Sequence, residues 1–114
     1  MKKLLLVFTL ILIIFKQVQA QDLINTIAGN GTQGFSGDGG TAVNAMLDFA
    51  RGVAVDGSGN IYIADGINYR IRKVTPSGTI TTYAGNGTQG HSGDGGSATV
   101  AQLSIPAAIA VDVA

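Results

Sequence analysis

Cysteine, tryptophan and glutamate are missing from all 114 residues, histidine occurs once and proline twice. Without cysteine there is no disulfide framework and no thiolate chemistry. Without glutamate, and with His91 as the lone imidazole, general acid–base catalysis has few residues to draw on. Positive charge is sparse beyond the N-terminus: after residue 20 the cations are Arg51, Arg70, Arg72 and Lys73, against seven aspartates, a net charge of about −3. A nucleic-acid surface needs a clustered basic face to neutralise phosphates, and a mildly acidic chain excludes it. What the sequence has in abundance is glycine, 17 in all.

The N-terminus stands apart. Lys2 and Lys3 precede an apolar-rich run from Leu4 to Phe15, and Val18-Gln19-Ala20 offers small residues at the cleavage positions. This is the pattern of a secretory signal peptide over residues 1–20, cut between Ala20 and Gln21. As a membrane anchor the run falls short, since about 12 helical residues reach about 18 Å of a ~30 Å hydrocarbon core. No membrane span is expected once the leader is removed, and the mean hydropathy of +0.33 owes most to the leader. The expected location is secreted, periplasmic or cell-surface.

Residues 21–114 are organised by repetition. AGNGTQGFSGDGG at 28–40 returns as AGNGTQGHSGDGG at 84–96, an offset of about 56 residues. Short β-branched runs lie around these strings: Leu23 to Ile27, Gly52 to Val55, Asn60 to Ala64, Tyr69 to Val74 and Thr79 to Tyr83. Turn chemistry separates the last four, at Asp56-Gly57-Ser58-Gly59, at Asp65 to Asn68 and at Pro76-Ser77-Gly78. An antiparallel meander of four strands per repeat is expected. Apolar residues on both alternating sets, Val53, Val55, Ile61 and Ile63 against Ala54, Tyr62 and Ala64, imply a sheet covered on both faces.

Stacked four-stranded meanders make a β-propeller, so the expected class is all-β, with about one complete blade from Gly52 to Tyr83. Leu23 to Ile27 would be the last strand of one neighbouring blade. Ala107 to Asp112, matching Arg51 to Asp56, would be the first strand of the next, giving about 1.5 repeats over 21–114. A lone blade leaves apolar faces and strand edges open, so the chain is expected to be a fragment of a longer reading frame or of a truncated gene.

GVAVDGSGNIYIADGINYRIRKV resembles an NHL repeat, whose pattern joins a G-hydrophobic-A-V-D strand to an N-hydrophobic-Y-hydrophobic-A-D strand and an N-x-R-I strand. The SGDGG string is similar to the long inter-blade loop of secreted bacterial NHL propellers and of teneurin-type NHL modules. The resemblance implies a propeller of commonly six blades, used mostly to bind other macromolecules, with a minority of enzymes. Asp65, Asn68 and Arg70 fall on positions that the family pattern emphasises, and their expected role is structural: a carboxylate beside an arginine offers charge-assisted hydrogen bonds at a hairpin end.

Other motifs receive structural expectations too. Gly29, Gly31 and Gly34 satisfy GxGxxG, as do Gly85, Gly87 and Gly90, but FSGDGG is a poor helix start, so no dinucleotide site is expected. Asp38 and Asp94 in the SGDGG strings are the metal candidates. Calcium wants 6–8 oxygens, and each loop supplies one carboxylate, so Asx-turns are expected there. Asp56, Ser58 and Asn60 imitate a calcium loop but lack a closing acid, which favours a hairpin. Ser36 and Ser92 have no triad partner. Asn30-Gly31-Thr32 and Asn86-Gly87-Thr88 are formal glycosylation sequons as well as turn dipeptides.

The function expected from all this is a non-catalytic binding scaffold for a protein or carbohydrate, without cofactor and without nucleic-acid partner. Two alternatives stand beside it. One is a piece of a propeller lyase or hydrolase whose catalytic residues lie in other blades. The other is a short chain that self-associates through open blade faces to build a propeller.

Overall fold

A computed structural model describes residues 22–112. Ala20 and Gln21, the expected cleavage site, lie outside the described residues. Four strands, β1 (Ala50–Val55), β2 (Ile61–Asp65), β3 (Arg70–Val74) and β4 (Ile80–Ala84), pair in sequence order, each antiparallel to the last. The fold is all-β, one complete four-stranded propeller-type blade. The β1–β2 and β3–β4 turns close alike: Gly59 N donates to Asp56 O and Asp56 N to Asn60 O, while Gly78 N donates to Thr75 O and Thr75 N to Thr79 O.

Register decides what each face carries. Val53, Ile63, Arg72 and Thr82 form one cross-strand row, and Val55, Ile61, Val74 and Ile80 form the next row on that same face. The opposite face carries the row Ala54, Tyr62, Lys73 and Thr81. The first face is covered by the glycine-rich segment that precedes the blade, residues 28–49, here called the first loop. Its Ala42 and Ala45 are buried against Ile63, Val74 and Ile80, with Ala28, Leu47 and Ile61 packed around them. Backbone bonds fasten it to β4: Gly39 N to Ile80 O at 2.7 Å, Ile80 N to Gly40 O at 3.0 Å and Ala42 N to Gly78 O at 2.8 Å. The loop does not cover β1, so Val53 and Val55 each remain 60% exposed, although their alternation marks them as inward-facing.

Two expected strands are absent. Leu23 to Ile27 and Ala107 to Asp112 form no ladder with the sheet, because a strand exists only where a neighbouring strand exchanges backbone hydrogen bonds with it, and none of the four described strands runs alongside them. Residues 107–112 instead lie against the second face of the blade. The approach is close at Gly52, where a Cβ would come within 2.6 Å of Ala107 O, so any larger residue would push that segment away. No helix among the described residues is long and apolar enough to cross a membrane. Among the described residues the helical content is two three-residue 3-10 turns, Ala42–Asn44 and Ala98–Val100, and neither begins at the GxGxxG strings.

Candidate functional site

The chemistry of the blade is centred on Arg72, which is fully buried. Alternation along β3 points it into the face beneath the first loop, where a guanidinium must find a partner for each of its five N–H groups. It finds five. Nε donates to Asp38 Oδ1 at 3.2 Å, and Nη1 to Met46 O at 3.3 Å and Asp65 Oδ2 at 3.2 Å. Nη2 donates to Ser36 O at 2.9 Å and Asp38 Oδ1 at 2.9 Å. Three of these acceptors, from Ser36, Asp38 and Met46, belong to the first loop, so the arginine fixes the loop's conformation as much as the loop encloses the arginine. The Phe35 ring closes the cage, 4.7 Å from the Arg72 guanidinium carbon and 3.7 Å from that of Arg70.

Asp65 is also fully buried. It accepts from Asp48 N at 2.8 Å, from Asn68 Nδ2 at 2.8 Å and from Arg72, and Asn68 Nδ2 reaches on to Gly34 O at 2.8 Å. Asp65 and Asn68 thus join the end of β2 to the loop. Arg70 takes a different place: it pairs with Asp65 across the ladder, but its guanidinium leaves the cage, stacks on Phe35 and donates to Asn86 O at 3.1 Å. The charge-assisted bonds expected of Arg70 are made by Arg72. Sequence reasoning placed no structural expectation on Arg72, because the family pattern emphasises Arg70 two residues earlier. The available signal was its phase, since it shares a face with Val74.

Asp38 forms no Asx-turn, in contrast to the expectation. Its carboxylate accepts from Arg72 on one oxygen and from the Thr82 hydroxyl on the other, because the buried guanidinium is a stronger partner than the loop's own amides. Asp94, at the same place in the second string, is exposed and makes no side-chain hydrogen bond among the described residues. No three His or Asp side chains come together among the described residues in a group that could hold a metal.

The second polar cluster lies at the β1–β2 turn. Asp56 Oδ1 accepts from Ser58 N and Asn60 N, and Oδ2 from Asn60 Nδ2 at 2.9 Å and Tyr62 OH at 3.1 Å. The Asn60 side chain and the other donors hold the Asp56 carboxyl below the ordinary carboxylate range. Partial desolvation, followed by the Asp56 bond and charge, holds the Tyr62 phenol above its usual value. A depressed carboxylate stabilises the fold above the pKa of the unfolded chain and loses that contribution as pH falls through the folded value. The side-chain ¹³C signal of Asp56 is therefore expected to titrate below the ordinary aspartate range, and Tyr62→Phe to move its midpoint upward. Coincident midpoints in the two proteins would refute the bonding pattern.

Tyr62 also meets Tyr83 edge to face, with centroids 5.0 Å apart. The two rings, with Asp56 and Ile71, wall an open groove of about 580 Å³ whose far side is Ile109 to Asp112. The groove offers aromatic and apolar area with carboxylate acceptors at its rim, which suits binding by contact.

Comparison with known proteins agrees with this architecture. The Teneurin NHL domain family model matches residues 16–91. Chicken (Gallus gallus) Teneurin-1 is 37% identical over 78 residues, covering 60% of this chain and 3% of that protein. Mouse (Mus musculus) Teneurin-3 is 48% identical over 50 residues, covering 44% of this chain and 2% of its own length. The chain thus spans about 3% or less of the curated relatives it matches. The crystal structure of a Bacteroides thetaiotaomicron protein of unknown function superposes with a TM-score of 0.66 at 30% identity, over 75% of this chain and 22% of the other. With two thirds of its length matched by the family model, the chain belongs to the Teneurin NHL domain family.

Proposed function

We propose that the chain is a secreted, non-catalytic scaffold that recognises a protein or carbohydrate. The observation that carries this is the disposition of its carboxylates. Asp38, Asp56 and Asp65, those gathered by the fold, are all engaged by internal donors, which leaves the aromatic groove of Tyr62 and Tyr83 as a contact surface. Secretion follows from the leader over residues 1–20.

Two measurements test this. N-terminal sequencing of the exported protein is expected to begin at Gln21, and retention of the leader would refute export by cleavage. On a glycan array and in parallel polysaccharide turnover assays, binding without product release is expected, and Tyr83→Ala is expected to weaken it by about tenfold or more. Product release would favour a lyase or hydrolase instead. Self-association through open blade faces is a second role, favoured by the exposed side chains of Val53 and Val55. Sedimentation that depends on concentration would support it.

A further inference from the structure

The string AGNGTQG occurs twice, at 28–34 and at 84–90, and the fold sets its two asparagines alike. Asn30 N donates to Ala45 O and Asn86 N to Ala101 O, each at 2.9 Å. The side-chain amides donate at 3.4 Å, Asn30 Nδ2 to Asn44 O and Asn86 Nδ2 to Val100 O. Each Oδ1 accepts from the amide two residues on, Thr32 N at 2.9 Å and Thr88 N at 2.8 Å. Both asparagines are exposed, and a glycine at positive φ follows each, Gly31 at 85 and Gly87 at 87. One contact separates the copies. Arg70 Nη2 donates to Asn86 O at 3.1 Å, and its guanidinium lies so close over the next peptide that a Cβ on Gly87 would come within 2.6 Å of both Nη atoms. A Cβ on Gly31 would meet nothing within 4 Å, and among the described residues no side chain donates to Asn30 O.

We propose that Asn86 is a site of spontaneous deamidation, and that Arg70 makes it react faster than its copy, Asn30. In this reaction the Gly87 amide nitrogen loses its proton and attacks Asn86 Cγ. The new N–Cγ bond closes a five-membered imide as the Cγ–Nδ2 bond breaks, and ammonia leaves with that proton. Water then opens the ring at either carbonyl, which yields an aspartate or an isoaspartate. Glycine suits the attacking position because no side chain shields its nitrogen. Negative charge builds on Oδ1 during the attack, and the Thr88 amide already donates there. That help is common to both copies, since Thr32 donates in the same way. Arg70 adds a second contribution. Its cation holds the carbonyl of the peptide between Asn86 and Gly87, so the charge of the deprotonated amide spreads onto an oxygen facing a guanidinium, and Gly87 N yields its proton more readily. Exposure alone would give the reverse order, because Gly31 is exposed and Gly87 is half-buried beneath the arginine. An isoaspartate adds one carbon to the backbone just beyond the bond from Asn86 N to Ala101 O, so conversion should loosen the second string.

The test is independent of the ligand proposed above. The purified chain is incubated at neutral pH and physiological temperature, and peptide mapping by mass spectrometry follows the gain of about 1 Da at each asparagine. In the folded protein Asn86 is expected to convert about threefold or more faster than Asn30. In concentrated urea the two should convert at one rate, because their surroundings in the sequence are identical over seven residues. Arg70→Ala should bring Asn86 down to the rate of Asn30 and leave Asn30 unchanged. A folded chain in which Asn30 converts as fast as Asn86, or faster, would overturn the proposal. So would a difference that persists in urea, or one that Arg70→Ala leaves in place. The comparison of folded and urea-treated chain needs no substitution, so it decides the matter even where Arg70→Ala disturbs the blade.

Discussion

Arg72→Ala is expected to remove most of the stability of the blade. Truncation leaves Asp65 buried without its cation, deprives Asp38 of its main partner and orphans two loop carbonyls, Ser36 O and Met46 O. Breaking a buried pair by removing one member costs about 3–5 kcal/mol. A chain of this size has on the order of 5–10 kcal/mol in total. Because four of the five Arg72 hydrogen bonds end on the first loop, its cover of Ile63, Val74 and Ile80 should loosen together with the pair. Arg72→Lys restores the charge but presents three donors from a point, not five from a planar fork, so it should recover only part of the loss. Arg70→Ala, which removes one bond to Asn86 O and a stack on an exposed ring, should cost about 1 kcal/mol or less. Urea unfolding of the three variants checks the order. Equal losses for Arg72→Ala and Arg70→Ala would contradict it.

Gly37→Ala should come next in severity, at about 2–4 kcal/mol. Gly37 sits at φ +93, where a Cβ is strained, and that Cβ would lie 2.7 Å from Ala45 Cβ and 2.8 Å from Ala45 Cα. Ala45 is fully buried and is held by its backbone bond to Asn30 N, so it cannot yield without lifting the loop off the sheet. Gly39→Ala separates the two contributions. Its φ of +84 carries the same strain, but nothing lies within 4 Å, so about 1 kcal/mol is expected. A Gly37→Ala protein as stable as Gly39→Ala would mean that the loop does not press on the blade as described.

The sheet was legible in the sequence because its cues are local. NIYIA is β-branched and aromatic, DGSG and PSG end their strands, and the four paired strands agree with those cues to within two residues at each end. Leu23 to Ile27 carries the same composition and forms no strand, since composition supplies propensity while a ladder requires a neighbour. The cage around Arg72 was not legible. Its partners Ser36 and Asp38 lie 36 and 34 residues upstream, in a loop whose glycines read as flexible turns, and no periodicity connects them to β3. The identity of the repeated SGDGG strings indicated that the aspartate matters, without showing that its partner is an arginine on the next blade's third strand.

A double-mutant cycle between Asp38→Ala and Arg72→Ala, read by urea unfolding, tests most directly whether the glycine-rich loop and the blade are one structure joined by this cage. Strong coupling is predicted, about 2 kcal/mol or more, with the double variant scarcely less stable than Arg72→Ala alone. Losses that add to within about 0.5 kcal/mol would show that the two residues act independently, and would contradict the account.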